Sequence, residues 1–122
     1  MSDLLAELES KAQNPAQLIL HGAGARILAD SQSLSGVKVL ELRHNFLGDA
    51  GTILLAQSEN FKNLSDLKLG WNEIRDAGAL DFAKQEKLAK LKKLDLRGNF
   101  FSGETKTELK TSLSHLKSLQ LY

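Results

Sequence analysis

Three groups of residues in this 122-residue chain could in principle do chemistry: the histidines, a glycine-spaced turn and a run of lysines. His21, His44 and His115 are the only imidazoles, none has a second His at ligand spacing, and there is no cysteine. A Cys-based zinc site or a thiol nucleophile therefore cannot be composed from them, and the scattered histidines point away from a metal site. No order of Ser, His and Asp converges on one place in the architecture derived below, which leaves out triad hydrolysis. His21-Gly22-Ala23-Gly24 starts like a phosphate-cradling loop, but the third glycine is missing and no clean strand precedes it. It reads as a tight turn into a helix. Lys84, Lys87, Lys90, Lys92 and Lys93 could hold phosphates. Glu86 and the core-type Leu88 and Leu91 interrupt them, so they read as a solvated outer face. With a net charge of +1, no global field draws the chain to nucleic acid or anionic lipid. No catalytic residue, cofactor or metal is expected, and neither a nucleic acid nor a membrane as partner.

What positions these residues is a repeat. Val37-x-x-Leu40-x-Leu42-x-x-Asn45 returns after 27 residues as Leu64-x-x-Leu67-x-Leu69-x-x-Asn72, and again as Leu91-x-x-Leu94-x-Leu96-x-x-Asn99. Leucines two apart face one side of a strand. Asp49-Ala50-Gly51 matches Asp76-Ala77-Gly78, where the Asp is placed to cap a helix. Leu28, Leu55, Phe82 and Leu109 align in the helical half, followed by the small Ala29, Ala56 and Ala83, and Leu34, Phe61 and Leu88 align on the return. Each unit is strand, turn, helix, return. None can bury its apolar stripe alone, so neighbours must stack.

One domain over 1–122 is expected: a helical cap over 1–15, a degenerate first repeat over 16–36, and regular repeats over 37–122 that end on a strand. Within it, residues 3–13 read as a helix, ended by Asn14-Pro15, and Leu18-Ile19-Leu20 as a short off-register strand. A unit closing at 25 residues carries a polar helix around Glu104–Ser114, then Leu116-x-x-Leu119-x-Leu121-Tyr122. The acidic start lacks signal-peptide character, no apolar run reaches bilayer length, and the missing cysteines fit a reducing compartment. A cytoplasmic protein is expected.

The pattern Leu-x-x-Leu-x-Leu-x-x-Asn resembles the leucine-rich repeat family, and the Asp-Ala-Gly and Leu/Phe-Ala that follow are similar to its ribonuclease-inhibitor-like subclass. The resemblance covers residues 16–122. It implies an α/β solenoid of about three and a half units, with parallel strands on a concave face, helices on a convex one, and protein recognition as its work. Asn45, Asn72 and Asn99 have a structural reading: a carboxamide carries both donor and acceptor and can satisfy amides buried in the bend after each strand.

Stacking at this period makes three rows across the concave face: Val39, Asp66, Lys93, Ser118; Glu41, Lys68, Asp95, Gln120; and Arg43, Gly70, Arg97, Tyr122. Alternating charge relieves repulsion within a sheet and also makes a mixed-charge binding face. Gly70 leaves a gap between two arginines beside Trp71, able to receive an acidic or aromatic partner side chain. Alternatively, Trp71 folds over Gly70 with an arginine stacked on it. His44 shares that rim. The sequence thus points to a non-enzymatic protein-binding module whose partner touches Glu41, Arg43, His44, Asp66, Lys68, Trp71, Lys93, Asp95, Arg97 and Tyr122. Two alternatives remain: an assembly unit that self-associates through its uncapped C-terminal strand, and a regulatory or immunity-type inhibitor of an enzyme.

Overall fold

The computed structural model describes residues 22–122. The helix expected over 3–13 and the strand at Leu18–Leu20 lie outside them. Four three-residue strands, β1 (Val39–Glu41), β2 (Asp66–Lys68), β3 (Lys93–Asp95) and β4 (Ser118–Gln120), form one parallel sheet in sequence order. Leu40 pairs with Leu67, Leu67 with Leu94, and Leu94 with Leu119, so equivalent letters are spatial neighbours. Leu40, Leu42, Leu67, Leu69, Leu94 and Leu96 are all at most 2% exposed, which puts one face of β1, β2 and β3 in the core, while Leu119 of β4 is partly buried against it.

The other wall is helical: α1 (Gly22–Ala29), α2 (Gly48–Gln57), α3 (Asp76–Ala83) and α4 (Gly103–Ser112). Leu28, Leu55, Phe82 and Leu109 point from it into the core, and the buried Ala29 and Ala56 keep neighbouring helices close. Three return segments contain a short 3-10 turn ending on the aligned apolar residue, at Gln32–Leu34, Glu59–Phe61 and Glu86–Leu88. None of the described helices is long and apolar enough to cross a membrane.

The asparagines bind one unit to the next. Asn72 Oδ1 accepts from the backbone N–H of Asn45 (2.9 Å) and of Leu47 (3.3 Å) in the preceding unit, while its Nδ2 donates to the carbonyls of Leu42, Leu69 and Gly70. Asn99 repeats this, with Oδ1 accepting from Asn72 (2.9 Å) and Ile74 (3.0 Å). At Asn45 the Nδ2 bonds persist, but the buried Oδ1 has no partner among the described residues.

The aspartates do not cap helices. Asp49 and Asp76 sit inside the first turns, and the cap positions, Leu47 and Arg75, make no side-chain cap bond. Asp49 Oδ1 instead accepts from the Arg75 N–H (2.7 Å), and Asp76 Oδ1 from the Ser102 N–H (2.9 Å), one unit onward. The Ser102 amide holds the Asp76 carboxyl below its ordinary range. Gly78 makes room for this link, since a Cβ there would collide with the Asp49 carboxylate. Among α2, α3 and α4, only α4 is capped by a side chain, with Ser102 Oγ accepting from Thr105 N–H at 3.2 Å.

Candidate functional site

The first two rows form as spaced in the sequence: Val39 lies beside Asp66 and Lys93 beside Ser118, while Glu41, Lys68, Asp95 and Gln120 are consecutive partners. In the third row, His44 N–H donates to Gly70 O (3.1 Å) and Trp71 N–H to Arg97 O (2.8 Å), which carries the pairing past the strand ends. Tyr122 leaves this row. Its ring rests against α4, with Lys106 Nζ 4.5 Å and Lys110 Nζ 5.2 Å from the ring centre.

The concave charges answer one another. Glu41 takes the Arg43 guanidinium and lies 3.9 Å from Lys68 Nζ. Asp95, 5% exposed, receives a two-pronged contact from Arg97, Nε at 3.0 Å and Nη2 at 2.9 Å, plus the Arg97 backbone N–H at 3.1 Å. Burial pushes the Asp95 carboxyl up, but the Arg97 hydrogen bonds and the charges of Arg97 and Arg43 outweigh it, and the net shift is downward. Each arginine thus has its carboxylate two residues back on its own strand. The expected gap at Gly70 is no wider than a methyl group: Gly70 is buried, and a Cβ there would already meet the Arg97 carbonyl at 3.1 Å and the Arg43 Cγ and Cδ at 3.5 and 3.6 Å.

Trp71 does not fold over Gly70. It lies over Gly98, its own counterpart one unit on, where a Cβ would collide with the indole. Gly98 has φ +73°, a left-handed conformation that glycine adopts freely. On its other side the indole stacks on His44, ring centres 5.1 Å apart and planes 9° from parallel, and Arg97 lies 5.4 Å from the ring centre. His44, Phe46, Trp71 and Glu73 hold φ between +54° and +62° in these bends, a costly conformation for residues with side chains. Trp71 is still 41% exposed, and Phe46 and Phe100, aligned two residues further along the bends, are 53% and 54% exposed. Arg75 covers one face of Phe100 at 5.2 Å. The rim at the strand exits is therefore aromatic. Phe46 and Phe100 were not among the residues expected from sequence, although their shared column was a signal.

The lysine run divides. Lys84 projects from the end of α3, while Lys90, Lys92 and Lys93 turn to the strand entries and meet Lys38 and Lys117 there. His115 lines that groove and His44 lies on the aromatic rim; His21 is outside the described residues. Among the described residues, no group of His, Cys, Asp or Glu is placed to hold a metal ion.

A family model described as Leucine Rich repeat matches residues 62–83, which span one unit from the end of its return to the end of α3. Among solved structures, the chain is similar to "Leiomodin-1 Actin-Binding Site 2 (ABS2)", with a TM-score of 0.71 and 15% identity, covering 98% of this chain and 78% of that one. No curated protein matches the chain in sequence. With the four parallel strands and their helices, these likenesses give the fold: an α/β leucine-rich-repeat solenoid, strands on the concave face.

Proposed function

We propose that this solenoid is a non-enzymatic protein-binding module that receives its partner on the concave face and the aromatic rim beside it. The observation that carries the reading is Trp71. An indole 41% exposed, yet pinned by His44, Arg97 and the bare backbone of Gly98, presents apolar area with little side-chain freedom left to lose. Arg97 lies against it and Arg43 stands in the same row as Arg97, their side chains 32% and 34% exposed and each still able to pair with a second carboxylate. The solved neighbour, itself named as an actin-binding site, supports a protein as the class of partner. The helices of 8–10 residues on the convex side support placement in the ribonuclease-inhibitor-like subclass. We assign the protein to the cytoplasm on its cysteine-free composition.

The test is affinity for a partner identified by capture from the native cell. Trp71→Ala is expected to weaken binding about thirtyfold, the effect of losing a central aromatic anchor, with the circular dichroism spectrum unchanged. Equal affinity would move the site elsewhere. A second reading draws on β4, which pairs with β3 along one edge and, among the described residues, with nothing along the other. It predicts self-association, and a strict monomer by light scattering at high concentration removes it.

A further inference from the structure

One margin of the sheet carries charge that no ion pair answers among the described residues. Where the returns enter the strands, the column Lys38, Ser65, Lys92, Lys117 crosses four successive units. Its backbone is tied at every step: Ser65 and Asp66 N–H both donate to Lys38 O (2.8 and 3.0 Å), Lys92 and Lys93 N–H to Ser65 O (2.8 and 2.9 Å), and Lys117 and Ser118 N–H to Lys92 O (2.8 and 3.2 Å). The side chains therefore leave a fixed row at sheet spacing, about 4.8 Å per strand.

Two grooves of about 600 and about 250 Å3 run along this row and share Ser65, Lys92 and Lys117. Lys38, Lys92, Lys93 and Lys117 are exposed, and none makes an ion pair among the described residues. Among the described residues, Lys90 meets only the neutral Asn63 Oδ1, at 2.9 Å. Asp66 is the sole carboxylate lining either groove among the described residues. In a chain of net charge +1, five lysines are gathered on one edge while the carboxylates Glu41 and Asp95 are spent on their own arginines.

We infer that this edge docks an acidic segment of a partner protein, laid extended across the strand entries with its carboxylates toward the lysines. The lining chooses this polyanion over others. Single-stranded nucleic acid is held by aromatic stacking as well as charge, and among the described residues no aromatic ring but the exposed His115, and no arginine, lines either groove. A bilayer surface is held by lysines together with long apolar side chains that insert. Here the exposed apolar residues among those described are the short Val39 and Ala89, while Phe46, Trp71 and Phe100 stand at the opposite rim. Ala89 and Leu91 in the larger groove suit the methylene stems of glutamates. The inference shares Lys93 and Asp66 with the concave-face reading but rests on the Lys38, Lys92, Lys117 column, away from Trp71.

The experiment is fluorescence anisotropy with a labelled Glu-Ser dodecapeptide and its Gln-Ser counterpart, on the full chain. The wild type is expected to bind the Glu peptide and not the Gln peptide, more weakly as salt rises from about 50 to about 200 mM. Lys38→Gln/Lys92→Gln/Lys117→Gln is expected to lose roughly tenfold in affinity. Lys62→Gln/Lys84→Gln/Lys106→Gln, equal in charge change, and Trp71→Ala are expected to stay within about twofold. Equal loss in both triple variants, or no binding of the Glu peptide, overturns the inference. So does tighter binding of oligo-dT or phosphatidylserine vesicles that the groove variant abolishes.

Discussion

Trp71 lies flat over Gly98, the residue that occupies its own position in the next unit. The side chain of one repeat thus rests in the space that the following repeat leaves empty. Gly98→Ala should evict the indole and strain a backbone held at φ +73°, lowering stability by about 1–2 kcal/mol. Trp71 is the only tryptophan, so its emission reports directly and should shift to the red. An unmoved spectrum would mean that the indole is not held there.

The asparagine column predicts unequal costs for equal substitutions. Asn72→Ala orphans two buried N–H groups, of Asn45 and Leu47, and takes one donor from the carbonyls of Leu42, Leu69 and Gly70, each of which keeps another. It should cost about 3 kcal/mol by urea unfolding. Asn45→Ala removes only two donor bonds and a carboxamide oxygen without a partner among the described residues, so about half that is expected. A larger loss at Asn45 would contradict the bonding pattern.

Gly78→Ala tests the aspartate link through the sign of its effect. In a helix, Ala is favoured over Gly by roughly 1 kcal/mol. Here the added methyl meets the Asp49 carboxylate that holds the Arg75 amide, so the substitution should destabilise, by about 1–2 kcal/mol in thermal unfolding. A rise in melting temperature would show that Asp49 moves aside freely.

Acid should loosen the concave face at Asp95. Its carboxyl is held below the ordinary value of 3.8, so the folded state binds this proton less readily than the unfolded one. The stabilisation is present at neutral pH and disappears as pH falls below about 4 through the folded pKa. The urea midpoint of the wild type should therefore drop across that range, and that of Asp95→Asn should drop less. Parallel curves for the two proteins would remove Asp95 from the account.

The leucine columns, the asparagine links and the first two concave rows could be read from letters 27 apart, because a stacked array turns sequence period into adjacency. Shorter and longer relations were harder to see. Glu41–Arg43 and Asp95–Arg97 are pairs two residues apart on one strand face, which the row-by-row reading passed over in favour of an external carboxylate. The aspartates looked like caps because they precede helical segments. Only coordinates show the chain entering α2 and α3 a residue or two earlier and leaving the carboxylate aimed at the next unit. The basic margin was split in the sequence among Lys38, Lys90–Lys93 and Lys117, and only the register assembles it.

The two polar columns clasp each junction from opposite directions and with unequal grip. Asn72 and Asn99 reach backward to largely buried amides, whereas Asp49 and Asp76 reach forward to exposed ones that water can serve almost as well. Stripping a unit from the C-terminal side therefore wounds its neighbour more than stripping one from the N-terminal side. Under tension, or in slow amide exchange, the ribbon should unravel from its amino end first, with the later units acting as its anchor.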